Sequence, residues 1–555
     1  MNKKDIRSLN PESFLYFNSK LKAYNIQSRI TMRIKCFLSF VVLIGINTNI
    51  FAKKIYVDNV AQTYKVLNNL RPGDSLVFKK GEYKDIQLLL KQNGSSSKPI
   101  VLIAETPGSV IFCGDVKVAM YGTYTELNGI YFTNGNRNPN QWKSHGPGLI
   151  AMYASYCRVS NCAFNNFDEA NSAYITTSLD ENGNVPTHCR IDHCSFTNKL
   201  TFDQVINLNN QKAPDKTSQV IAPPMYHRVD HCFFSNPKKK GNAGGAIRVG
   251  YYRNALGRCL VDSNLFIRQD SESEIVTSKS MENVYYANTV LNCQGTLNFR
   301  HGDKQVAINN FFLSDDEKYK GYGGMYIWGS KHIIAGNYFS LSKTIESRGN
   351  AAIYLNTGAE GTEHALAFGS IIAKNMFVNN NGYTIHFNPL EELRKNFSKE
   401  KNLPYNVPHH ITLSDNTFFD NKKYGYTFFK DDYKDLNRNN QWNKNIYWGK
   451  QTGLTPLLGL EEKQFEMVLQ NGFYFLKNKN AQSSLAGLPN FYNNIEGIEL
   501  NFDEAVSNST MQKPLSIEQV IPKWMLNTLG DYYKTGKLSP ELEVRLKRIS
   551  ATREE

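Results

Sequence analysis

RVSNCAF at 158–164, RIDHCSF at 190–196, RVDHCFF at 228–234 and LVDSNLF at 260–266 are one phrase written four times. It continues in weaker form. Asn288, Asn310, Asn337, Asn375 and Asn416 fall in the column held by Cys162, Cys194, Cys232 and Asn264, each two residues ahead of an apolar residue that is usually Phe. The steps between columns are 32, 38, 32, 24, 22, 27, 38 and 41 residues. A shortest step of 22 residues, lengthened elsewhere by inserted loops, is what three short strands and their turns require. Each repeat therefore reads as one coil of an all-β fold, a right-handed single-stranded parallel β-helix. Asn side chains stacked at a turn hydrogen-bond to the coils above and below, while the Phe two residues on stacks inside.

The column also decides how the nine cysteines are read. Cys162, Cys194 and Cys232 stand in the Asn column, and Cys157 and Cys189 repeat five residues earlier. They are expected as thiols stacked in the core, not as a disulfide framework. The pairs His193-Cys194 and His231-Cys232 carry zinc-binding residue types, but a column that accepts Asn elsewhere is not a metal site.

Helical periodicity over Val60–Leu70, stopping before Pro72-Gly73, predicts a helix that caps the open N-terminal end. From about Asp431 the phrase fades, and Ser516-Ile517-Glu518-Gln519 is a capping box that opens a helical segment reaching Leu529, kinked at Pro522. Met32–Ala52 has a basic start at Arg33 and Lys35, an apolar run from Cys36 to Ile46 and a small residue before Lys53. It reads as a secretory signal peptide too short to span a membrane. Residues 1–31 fit no signal, so Met32 is the expected start. The division is thus 1–52 upstream segment and signal (signal 32–52), 53–430 β-helix catalytic domain, and 431–555 C-terminal coils and a helical extension packed on it. An exported monomer follows, destined for the periplasm before the cell surface or the medium.

A formal net charge of +14 calls for an anionic partner. No basic run exceeds Lys238-Lys239-Lys240, and no zinc-finger, RNP or helix-turn-helix signature is present, which argues against nucleic acid. A membrane surface and an acidic polysaccharide remain, and charge alone does not choose between them.

Candidate chemistry lies between Asn242 and Asp303. Asn242 follows its column residue by ten positions and Glu274 follows Asn264 by ten, so the two are expected one above the other, about 5 Å apart. Glu272, two residues before Glu274, points to the same face. Two carboxylates and an amide oxygen form a hard-oxygen set suited to calcium. Lys279 follows on the same coil and Arg300, with His301, arrives one coil later; a solvated salt-bridge ladder is the plain alternative.

These residues, with QWKSHGPG at 141–148, FDEANSAYITTSL at 167–179, TFDQVINLNN at 201–210 and GYGGMYIWGS at 321–330, resemble polysaccharide lyase family six of the chondroitinase B type over nearly all of the mature chain. The resemblance implies a lyase that cleaves dermatan sulfate by calcium-assisted β-elimination at iduronate. It implies Asn242, Glu272 and Glu274 as calcium ligands, Lys279 as base and Arg300 as the group that protonates the leaving oxygen. His301 and Glu363 match positions implicated in catalysis, and Arg394, Arg348, Trp328 and His145 match or neighbour substrate contacts. For Trp328 core packing, and for His145 a plain turn, are the alternatives. The family member it resembles has two consecutive arginines where this chain has Leu393-Arg394, which implies one cation fewer where a sulfated sugar would be gripped. An alginate lyase of the same family is the second reading, and a non-catalytic polysaccharide-binding β-helix the third. A hydrolase would need two carboxylic acids across a cleft, whereas Glu272 and Glu274 point together.

Overall fold

The computed structural model describes residues 52–136, 147–167, 172–199, 201–209, 223–241, 244–314, 321–345, 350–359, 364–388, 406–421, 429–431, 439–449, 459–470, 473–477 and 513–529. The signal-like stretch 32–51 lies outside them. From Lys53 on, the chain winds through three long parallel sheets, each coil adding one strand to each. The first sheet has 14 strands, from Lys54–Val57 to Gln441–Asn443; the second has 14, from Gly81–Lys84 to Leu460–Glu462; the third has 12, from Gln87–Leu90 to Phe429–Asp431. This is the right-handed parallel β-helix expected from the repeat.

The repeated phrase is the turn from the first sheet to the second. The residue before each column position, from Asn161 to Lys444, sits in the left-handed region at φ between 49° and 65°. That turns the chain in two residues and aims the column side chain inward. There Asn264 Nδ2 donates to Asn288 Oδ1 at 3.0 Å, and the same bond repeats through Asn310, Asn337, Asn375 and Asn416 to Asn445, one coil past the last predicted member. Each Nδ2 also donates to a backbone carbonyl, such as Tyr285 O from Asn310. Where cysteine replaces Asn, Sγ donates to the carbonyl two residues back, at 3.2–3.3 Å. The eight described cysteines are buried free thiols, among them the five, Cys157, Cys162, Cys189, Cys194 and Cys232, expected as such from the repeat. Inside, Phe132, Phe164, Phe196, Phe234 and Phe266 stack at 4.4–5.1 Å between ring centroids. Val290 interrupts the pile, which resumes from Phe312 to Phe418.

Helix α1 (Val60–Leu67) starts on Asn59, whose side chain accepts from Gln62 N–H, and ends three residues short of the predicted Leu70. It buries Leu67 against the first coil. The predicted kink at Pro522 is a full break. Helices α2 (Ile517–Val520) and α3 (Lys523–Leu529) are separated by Ile521 in extended conformation, because a residue before proline is driven out of the helical region. The capping box of Ser516 and Gln519 is present. Ile517, Val520, Ile521 and Met525 cover Ala163, Phe233 and Leu265 on the outer face of the second sheet. Among the described residues no helix is long and apolar enough to cross a membrane.

Candidate active site

The candidate residues lie on the outer face of the third sheet. Arg248, Thr277, Asn298, Tyr326, Tyr354 and His386 lie side by side on successive strands. Two residues further along each strand, and so on the same face, a second column reads Gly250, Lys279, Arg300, Trp328, Asn356 and Asn388. Each of these N–H groups donates to the coil before it, as Lys279 does to Val249 O at 2.8 Å and Arg300 to Ser278 O at 2.8 Å. Lys279 and Arg300 are therefore neighbours one strand spacing apart, about 4.8 Å.

Strict alternation would put Glu274 on the face opposite Lys279. A β-bulge prevents this. Glu274 pairs with Thr296 and Val276 with Leu297, so Ile275 is an extra residue. The bulge turns Glu274 outward, where its carboxylate accepts from Arg300 Nη1 at 2.7 Å and from Thr277 Oγ1 at 2.9 Å. Glu272 accepts from the N–H groups of Gly244 and Gly245 at 2.8 and 2.9 Å. A Cβ on Gly245 would fall 2.4 Å from Glu274 O, so only glycine allows this approach.

Burial pulls the Lys279 ammonium down to about 8; Arg248 and Arg300 add to the pull, and Glu274 and Glu272 oppose it. Burial, then Lys279, His364 and Arg300, hold His301 well below the ordinary histidine range. Burial and Arg300 bring His364 down to about 4. The site is thus cation-rich with two neutral imidazoles 5.5 Å apart. Both ring nitrogens of His301 and both amide atoms of Asn298 are buried without a hydrogen-bond partner among the described residues. Orphaned polar atoms of this kind cost about 1–3 kcal/mol each, a cost that a ligand or ion relieves.

Residues 57–501 match the family model for chondroitinase B. The chain belongs to the chondroitinase B family. Among solved structures, the family-six alginate lyase AlyGC matches with a TM-score of 0.64 at 20% identity, covering 85% of this chain and 58% of AlyGC. A mannuronic-acid-specific family-six lyase from human gut microbiota matches at 0.58 and 22% identity, covering 74% and 91%. A family-six polysaccharide lyase from Pseudopedobacter saltans matches at 0.54 and 20% identity, covering 72% and 94%. At these identities the likeness is one of fold, and this chain spans less than two thirds of AlyGC. No curated protein matches the chain.

Of the residues that the chondroitinase B resemblance singles out, the structure brings together Glu272, Glu274, Lys279, Arg300, His301 and Trp328. Asn242, Glu363, Arg348, Arg394 and His145 lie outside the described residues. The expected stacking of Asn242 on Glu274 therefore lies outside them too. Ile247 is 15 residues past Cys232 whereas its partner Val276 is 12 past Asn264, so loop length between the second and third sheets shifts the register by three. The residue over Glu274 is Gly245. Trp328 is buried, yet it stands in the outward column with its ring 4.8 Å from His364. Sequence reasoning missed Arg248, Tyr251, Asn298 and His364. Strand alternation counted from the third-sheet register finds Arg248 and Asn298; for His364, on a loop, no sequence signal was available.

Proposed function

We propose that this protein cleaves a uronate polysaccharide by β-elimination, with dermatan sulfate first among substrates. The observation that carries it is the Lys279 amine standing one coil from Arg300 on the outer face of the third sheet of a chondroitinase B-family β-helix, where burial draws it down to about 8. A lysine held there is about one-tenth neutral at pH 7, against less than a thousandth for an ordinary lysine. Lys279 takes the proton alpha to the uronate carboxylate; the bond to the glycosidic oxygen breaks, a carbon–carbon double bond forms in the ring, and the leaving oxygen acquires a proton. Arg300 keeps its own proton too firmly to be a ready acid. Paired with Glu274, it steadies the charge on the leaving oxygen while water delivers the proton. His301 lines the same wall in neutral form.

Glu272 and Glu274 fit calcium chemically: both are hard-oxygen donors on one bulged edge, with the orphaned Asn298 amide on the strand beside them. Among the described residues no three His, Cys, Asp or Glu side chains form a metal group, so the set depends on Asn242 and on water or substrate oxygens. Bound calcium would neutralise the uronate carboxylate as negative charge builds on it. Export through the 32–52 signal to the periplasm, and action as a monomer, belong to the same proposal.

Alginate is the second reading, favoured by the alginate-lyase names of structurally similar enzymes and by Leu393. Ultraviolet absorbance of unsaturated products on dermatan sulfate, chondroitin sulfate and alginate, with and without a chelator, separates the cases. Turnover of dermatan sulfate that a chelator stops and calcium restores is expected. Activity on alginate alone replaces the substrate, and indifference to chelator removes the metal.

A further inference from the structure

Gly250 ends the strand Ile247–Val249 in the left-handed region, at φ 73°, with its N–H on Leu208 O at 2.7 Å. The turn brings Tyr251 back over the strand it has just left, and Arg248 Cζ lies 5.3 Å from its ring centroid. One coil on, the Lys279 ammonium lies 5.1 Å from the same centroid. Tyr252 meets the Tyr251 ring edge-on at 5.1 Å. A phenol ring attracts a cation within about 6 Å, by about 0.5–1 kcal/mol when exposed and about 2 when desolvated. Here one neutral ring serves two cations that would otherwise repel each other, and one of them, Arg248, is among the largest fully buried side chains. The ring itself is 40% exposed, so it stands between solvent and the amine beside it.

We propose that Tyr251 is a positioning residue for the elimination base: its ring, seated on Arg248 and braced by Tyr252, holds the Lys279 amine beside Arg300 and keeps water off it. The inference rests on reading Lys279 as the base. The charged and titratable groups around that amine are Arg248, Arg300, His301, His364, Glu272 and Glu274. Losing the ring has two opposed effects on Lys279. Loss of the π contact disfavours the ammonium, while entry of water favours it. Burial is the largest influence on Lys279, so water wins and the amine moves back toward an ordinary lysine.

The test reads Lys279 directly. In protein labelled with ¹⁵N-lysine, its side-chain signal is assigned by its loss in Lys279→Arg and titrated in the wild type, Tyr251→Phe and Tyr251→Leu. Tyr251→Met serves if the leucine variant does not fold. Phe is expected to titrate with the wild type. Leu is expected to move up by about one unit, with kcat at pH 7 about tenfold lower and KM within about twofold. An unmoved or lowered titration in Tyr251→Leu overturns the proposal. So does a Tyr251→Phe variant as impaired as Tyr251→Leu, because the hydroxyl would then be the working group. If the wild type turns over no uronate polymer, the lyase reading of Lys279 fails, and the titrations still decide whether the ring governs the amine.

Discussion

Two columns of side chains climb the same helix and end differently. At the turn between the first and second sheets, one amide repeats from Asn264 to Asn445, and each side chain is satisfied by its neighbours and a backbone carbonyl. On the third sheet, Lys279, Arg300 and Trp328 occupy equivalent positions on successive coils, and no two are alike. The first column closes its hydrogen bonds within itself. The second places different groups at one strand spacing, and nearby Asn298 and His301 keep polar atoms that no described residue satisfies. A repeat fold can therefore spend identical coils on stability at one turn and keep a neighbouring face open for a ligand.

Lys279→Ala should separate the columns most sharply: product formation should fall by about 10³-fold while the melting temperature stays put. Residual activity within tenfold of wild type would remove Lys279 as base. The converse is Asn310→Ala, which removes the acceptor of Asn288 N–H, one of the two Asn288 Nδ2 bonds and the side-chain donor to Tyr285 O. Denaturant unfolding should show a loss of about 3 kcal/mol with kcat unchanged. A stability loss no larger than that of an exposed Asn→Ala would show that the ladder does not stabilise the coils.

The pH profile comes next in size. Lys279 must be neutral to act, so protonation below about 8 removes activity. The value of kcat/KM should rise about tenfold from pH 6 to 7 and level off above about 8. A profile flat across that range would mean that another group is the base. Smallest is Gly250→Ala, which strains the left-handed turn beneath Tyr251 by about 1 kcal/mol. Its effect should show in kcat before it shows in the melting curve.

The ladder was legible because an Asn that bonds to the coils on either side must recur once per coil, whatever the loops do. For the same reason Cys162, Cys194 and Cys232 could be read as core thiols, and the exposed capping box at Ser516 as a helix start. The residue types of the site, Glu272, Glu274, Lys279 and Arg300, were also visible, as a short mixed-charge run. Their arrangement was not. Counting from the column does not carry across loops of different length: Ile247 is 15 residues past Cys232, its partner Val276 is 12 past Asn264, and Gly245 is the described residue set against Glu274.

The sequence by itself determined that the chain is a stack of coils and which turn repeats, because both follow from local spacing; the family was legible only as a resemblance carried by whole strings such as GYGGMYIWGS at 321–330. Tertiary structure alone decided which groups meet. The bulge at Ile275 moved Glu274 from the inner to the outer face, and the register between coils set Gly245 against Glu274 and Arg300 beside Lys279. The turn at Gly250 then brought Tyr251 over both cations. Side-chain direction in a strand reverses with every residue, so one extra residue reassigns a face, and neither its position nor the loop lengths leave a periodic mark in the sequence.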